Sequence, residues 1–219
     1  MTMESVIVFC FGFFTLICGS SYAALITKAE LTAALTSSGF PAPSDEQYKN
    51  IVTRCEKSGK ITTKRELAMF LANVFQESDG LRAKKEYNPP AGAYQAPGGA
   101  PGKRYYGRGY LQLSWVYNYK AASQALYKDD RLVKDPDQVA TKDDVAWDTA
   151  FWYWSANVHS APGVSEGKFG ATTKAINGAL ECGGAAVGTE QAKRRFEFYK
   201  KISAAFKLSG KPVENGCYN

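Results

Sequence analysis

Histidine is almost absent from this chain: His159 is the only one in 219 residues. A Ser–His–Asp triad would have to be built on that residue, and a multi-histidine metal site is excluded. It sits in the loop-like segment SANVHSAPG, where an incidental role is expected. Cysteine offers no substitute, because no Cys/His cluster has metal-ligand spacing. No metal and no cofactor are therefore expected. Acidic residues are outnumbered, 21 against 27 Lys and Arg, for a formal net charge of +6. The basic residues form neither an arm nor a dense cluster, so a solvated basic surface and no nucleic-acid partner is the reading. Strand signals are weak and confined to residues 82–114.

Only one run suits a membrane-directed role. Residues 6–18 are apolar but shorter than the ~20 residues of a spanning helix. Ser21-Tyr22-Ala23 follows with small residues at the two positions a cleavage site needs. Residues 1–23 are thus expected to be a secretory signal. Residues 24–219 are the expected mature domain, secreted, monomeric and without stable membrane association. In an oxidising compartment Cys55, Cys182 and Cys217 remain. Cys55 follows Tyr48, Ile51 and Val52 at helical spacing and belongs to a buried face, which leaves Cys182 and Cys217 as the expected disulfide.

What is present is mostly helix. Thr27 with Glu30, Ser44 with Gln47 and Thr63 with Glu66 read as three capping boxes, and Thr141 with Asp144 as a further cap. Helices are also expected near residues 117–127, 169–180 and 189–207. In the third helix Leu67, Phe70, Leu71, Val74 and Phe75 form an apolar stripe, and Glu77 falls almost on the same face. A carboxylate that continues an apolar stripe is costly unless it has a task. That setting is expected to favour its protonated form, with Asp79 a possible helper. Glu86 stands beside Lys84 and Lys85, where the ionised form is expected. Two carboxyl groups in contrasting environments suit an acid and a base, although a solvated helix-end Glu remains open on this stretch alone.

Residues 87–104 form a long loop rich in Pro and Gly, which could frame a groove. The block YYGRGYLQLSWVYNYKAA follows, dense in rings, amides and hydroxyls. Rings stack on the apolar faces of sugars, and amides and hydroxyls bond their hydroxyls. An ordinary aromatic core is the other reading of the same composition.

The blocks FLANVFQESDGL, YYGRGYLQLSWVYNYKAA, AWDTAFWYW, INGALECGG and RRFEFYK together resemble glycoside hydrolase family 19, the chitinases of plants and certain bacteria. The resemblance implies a mainly α, lysozyme-like fold of two lobes, with a small β element flanking a substrate cleft. It implies an endo-acting, inverting chitinase whose partner is chitin or a chitooligosaccharide. Glu77 falls at the family's general acid, Glu86 at its general base in the short-loop type, and Ser114 at its water-positioning hydroxyl. Gln112, Tyr117, Asn118 and Asn177 match substrate-binding positions, and Trp115 and Tyr105 join that expected set. Arg195 and Glu181 resemble a supporting buried pair. Gln76 stands where the family commonly has histidine, and is expected to support the acid. Two further readings stay open: a non-catalytic or weakly active chitin-binding or immune-recognition protein, and a peptidoglycan hydrolase.

Overall fold

The helix that ends at Glu77 is the centre of the molecule. The structure is a computed structural model describing residues 24–95 and 97–219; the expected signal, residues 1–23, lies outside the described residues. In α3 (Lys64–Glu77) every residue from Leu67 to Phe75 is buried. The expected one-sided stripe is therefore only part of the packing, since Ala68, Met69, Ala72 and Asn73 are covered too. A helix apolar on nearly all sides is a core helix. It is covered chiefly by α9 (Ala186–Ala205), which also packs against α8 (Phe169–Glu181) and α1 (Lys28–Ser37). Aromatic rings fill the spaces: Phe70 stacks on Phe151 at 4.5 Å, and Phe40 meets Phe75 edge-on at 5.9 Å.

A second apolar cluster gathers Tyr105, Leu113, Val116, Tyr119, Leu132, Val133, Val139 and Val145. It belongs to α4 (Val116–Tyr127), the short α5 (Arg131–Lys134) and α6 (Gln138–Thr141), and the start of α7 (Asp143–Tyr153). These two cores are the two lobes of a mainly helical, lysozyme-like fold. The β element is slight: among the described residues, segment 82–114 holds only the isolated bridges Lys85–Arg108 and Arg108–Leu113.

Local chemistry explains most element starts. The boxes at Thr27–Glu30 and Ser44–Gln47 are complete, opening α1 and α2 (Asp45–Arg54). At Thr63 only half forms. Its hydroxyl accepts from the Glu66 N–H at 3.1 Å, while the Glu66 carboxylate accepts from Trp154 Nε1 at 2.9 Å and meets His159 Nδ1 at 2.7 Å. His159 is thus part of a polar contact that ties the segment following α7 to the start of α3. The expected cap from Thr141 to Asp144 is absent: Thr141 bonds back to the Asp137 carbonyl, and α7 starts without a side-chain cap. The helix continues through a π turn, Trp154–Val158. Cys182 and Cys217 are disulfide-bonded. Cys55 is a buried thiol whose pKa is pushed up by burial. Among the described residues no helix is long and apolar enough to cross a membrane.

Candidate active site

A cleft of about 610 Å³ is lined by Glu77, Tyr94, residues 111–115, Tyr117, Asn118, Tyr153 and residues 174–180 of α8. Glu77 reaches it because α3 stops abruptly there. Ser78 caps the helix, its hydroxyl donating to the Val74 carbonyl and accepting from the Leu81 N–H. Asp79, Gly80 and Leu81 then adopt positive φ in succession, at 51°, 65° and 69°. Non-glycine residues enter that region at a cost of about 1 kcal/mol or more each, so strain is concentrated beside Glu77.

The surroundings of Glu77 are ionic, not apolar as the stripe implies. Arg195, 2% exposed, donates from Nη2 to Glu77 Oε1 at 2.5 Å and to Glu181 Oε1 at 2.6 Å. Its Nε donates to Glu181 Oε2 at 2.8 Å, and its Nη1 to Asn73 Oδ1 at 3.3 Å. The expected Arg195–Glu181 pair is present, with Glu77 as an unexpected third member. Burial alone would lower the Arg195 pKa; the carboxylates of Glu77 and Glu181 outweigh it and hold the guanidinium charged. Asn177, off helical geometry at φ −144°, donates to Glu181 Oε1 at 2.8 Å. Asn73 completes the network by donating to Thr172 Oγ1 at 2.9 Å. Asp79 does not approach as a helper of Glu77; it pairs with Arg82 at 2.6 Å and accepts from the Tyr87 hydroxyl. Gln76 Oε1 is buried without a hydrogen-bond partner among the described residues, so it does not support Glu77 through that atom.

Glu86 also differs from expectation. Lys84 turns to Asp143 at 3.1 Å, and among the described residues Glu86 makes no ion pair. Tyr94 Oη donates to its Oε1, and the Gly107 N–H to its Oε2, both at 3.3 Å. Glu86 itself is not part of the cleft lining; Tyr94 connects the two.

The 105–118 segment is fixed from below by Arg108, 3% exposed. Its guanidinium bonds Asp137, the Arg104 and Tyr106 carbonyls and the Tyr119 hydroxyl, with the Tyr106 ring 3.6 Å away. On that support Gln112 and Trp115 take positive φ, 48° and 71°. Ser114 Oγ donates to the Gln112 carbonyl at 2.8 Å, and Asn118 Nδ2 to the Ser114 carbonyl at 3.0 Å. Gln112, Ser114, Trp115, Tyr117, Asn118 and Asn177 all line the cleft. Trp115 and Tyr117 are exposed there, while Tyr105 is not. Tyr105 is fully buried, its hydroxyl donating to the Val133 carbonyl and accepting from the Ala100 N–H, so it holds a loop and does not touch substrate. Sequence reasoning missed Asn73, Tyr153 and Lys174. Only Asn73 carried a signal, as a polar residue one turn before Glu77 in an apolar run.

Two helical lobes flanking a cleft walled by a carboxylate, amides and exposed rings make a lysozyme-like arrangement. Residues 20–166 match the family described as Chitinase class I, and the chain belongs to this family, glycoside hydrolase family 19. Acidic endochitinase SP2 of Beta vulgaris is 46% identical over 151 residues, 65% of this chain and 50% of that protein. The chain spans about half the length of the curated relatives it matches. Among solved structures, a family 19 class IV chitinase from Zea mays superposes with a TM-score of 0.70 at 29% identity, over 88% of this chain and 97% of that one. Chitinase C from Streptomyces griseus gives 0.63 at 31%, over 87% and 81%.

Proposed function

We propose that this protein is a secreted endo-acting chitinase that cleaves β-1,4-linked N-acetylglucosamine chains with inversion. The observation that carries the reading is a single cleft walled by Glu77 together with Gln112, Ser114, Trp115, Tyr117, Asn118 and Asn177. Glu77 is the general acid. Arg195 takes its Oε1, leaving Oε2 to carry the proton to the glycosidic oxygen. Glu86 is the general base and takes a proton from water as that water attacks the anomeric carbon from the opposite face. The Ser114 proton is committed to the Gln112 carbonyl, so its oxygen can accept from that water and orient it. Trp115 and Tyr117 offer ring faces to the sugars.

Incubation with chitohexaose tests this. Shorter oligomers whose newly formed ends are α-anomers are expected, and Glu77→Gln should lower the rate about 10²–10⁴-fold without unfolding. Glu86→Gln should remove most of the activity. No shortening by the wild-type protein at any pH from 4 to 8 overturns the reading. Tight binding without turnover would then mark a chitin-binding protein, and clearing of bacterial walls a peptidoglycan hydrolase.

A further inference from the structure

Among the described residues, Tyr94 is the one cleft-lining residue supplied by the loop of residues 87–104, and it touches both Glu86 and the sugar-facing wall. Its hydroxyl donates to Glu86 Oε1 at 3.3 Å. Its ring lies 4.9 Å from that of Trp115, tilted by 46°. The loop is held in place although it is rich in Pro and Gly. Arg104 donates to the carbonyls of Pro89, Pro90 and Ala93, and the Tyr94 carbonyl accepts from the Tyr105 N–H at 3.0 Å. Tyr94 itself sits at φ 64°, a strained position for a bulky side chain. Burial, and then the nearby Glu86 carboxylate, push its phenol pKa up, so it stays a donor at neutral pH.

We infer that Tyr94 is a positioning residue for Glu86 and at the same time a part of the sugar-stacking wall, with the hydroxyl serving the first task and the ring the second. The inference rests on Glu86 as base. Each oxygen of Glu86 receives one donor, Tyr94 at Oε1 and the Gly107 N–H at Oε2. Those bonds fix the carboxylate plane, and the one from Tyr94 is lost in any variant without the hydroxyl. Other charges around the segment are engaged elsewhere or shared by any Tyr94 variant: Lys84 with Asp143, Arg108 with Asp137, Arg104 with the loop carbonyls, and Lys85 beside Glu86 in sequence.

Two variants separate the tasks. Tyr94→Phe keeps the ring and is expected to lower kcat about fivefold with KM within twofold. The acidic limb of its pH–rate profile should move to higher pH, which a purely structural role would not produce. Tyr94→Ala should in addition raise KM for chitohexaose. In parallel, the Glu86 carboxyl is titrated by carbon NMR in the wild type and in Tyr94→Phe, and its midpoint is expected to rise in the variant. A Tyr94→Phe protein with wild-type kcat, wild-type acidic limb and an unmoved Glu86 midpoint overturns the inference. If the wild type fails to cleave chitohexaose, the proposed function fails, and the NMR titration alone still decides whether Tyr94 holds Glu86.

Discussion

Arg195 ties four side chains from three helices into one buried knot: Asn73 and Glu77 on α3, Glu181 on α8, and itself on α9. The desolvation of such a group is offset only while all its partners are present. Arg195→Met leaves Glu181, 1% exposed, with the Asn177 amide and no cation. The expected loss is about 3–5 kcal/mol, read from urea unfolding. Pairing it with Glu181→Met should return much of that stability, because the uncompensated charge is gone. Activity should not return, because Glu77 would still lack the donor that fixes Oε1. Recovery of activity in the double variant would show that Arg195 serves folding alone.

At the scale of elements, the ends of α3 matter more than its middle. Gly80 allows the chain to leave the helix: φ is 65°, and a Cβ placed there would lie 2.1 Å from Phe40 Cγ. Phe40 cannot yield easily, since its ring packs on both Phe75 and Phe198. Gly80→Ala is therefore expected to cost about 2–4 kcal/mol and lower the thermal midpoint, combining strained backbone with overpacking. A variant as stable as the wild type would mean that the turn can rearrange. The other end shows where sequence runs out. The capping boxes at Thr27 and Ser44 depend on residues three apart, and are legible because both partners are local. Glu66 has the right spacing from Thr63, yet residues 88 and 93 positions away claim its carboxylate. Glu77 fails in the same way: its apolar stripe is visible in sequence, but Arg195, 118 positions on, replaces the apolar pocket by an ion pair. Tyr105 and Tyr117 share one aromatic block, and only the packing of residues 100 and 133 on Tyr105 tells a core ring from a cleft ring.

For the molecule as a whole, the C-terminal tail closes the fold against α8. Cys182, just past α8, is bonded to Cys217 across 35 residues, a loop that contains all of α9 and hence Arg195. Restricting a loop of that length in the unfolded chain corresponds to about 3–4 kcal/mol at 25 °C in the chain-entropy view. The tail has other attachments: the Phe169 N–H donates to the Val213 carbonyl at 2.9 Å, and buried Glu214 accepts from the Asn219 N–H at 3.1 Å. These bonds belong to the folded state and survive loss of the disulfide, whereas the entropy term acts on the unfolded one. Cys182→Ser with Cys217→Ser should therefore lower the urea midpoint by the equivalent of about 3–4 kcal/mol. The folded protein's circular dichroism should stay unchanged. The cleft should feel the change only where folding is marginal, because Asn177 and Glu181, at the kinked end of α8 before Cys182, are held by the hydrogen bonds of Glu181 to Asn177 and Arg195. Chitohexaose cleavage by the double variant should match wild type at 20 °C and fail several degrees earlier on heating. A rate already lost at 20 °C would mean instead that the disulfide sets the geometry of the Glu77–Arg195–Glu181 network directly.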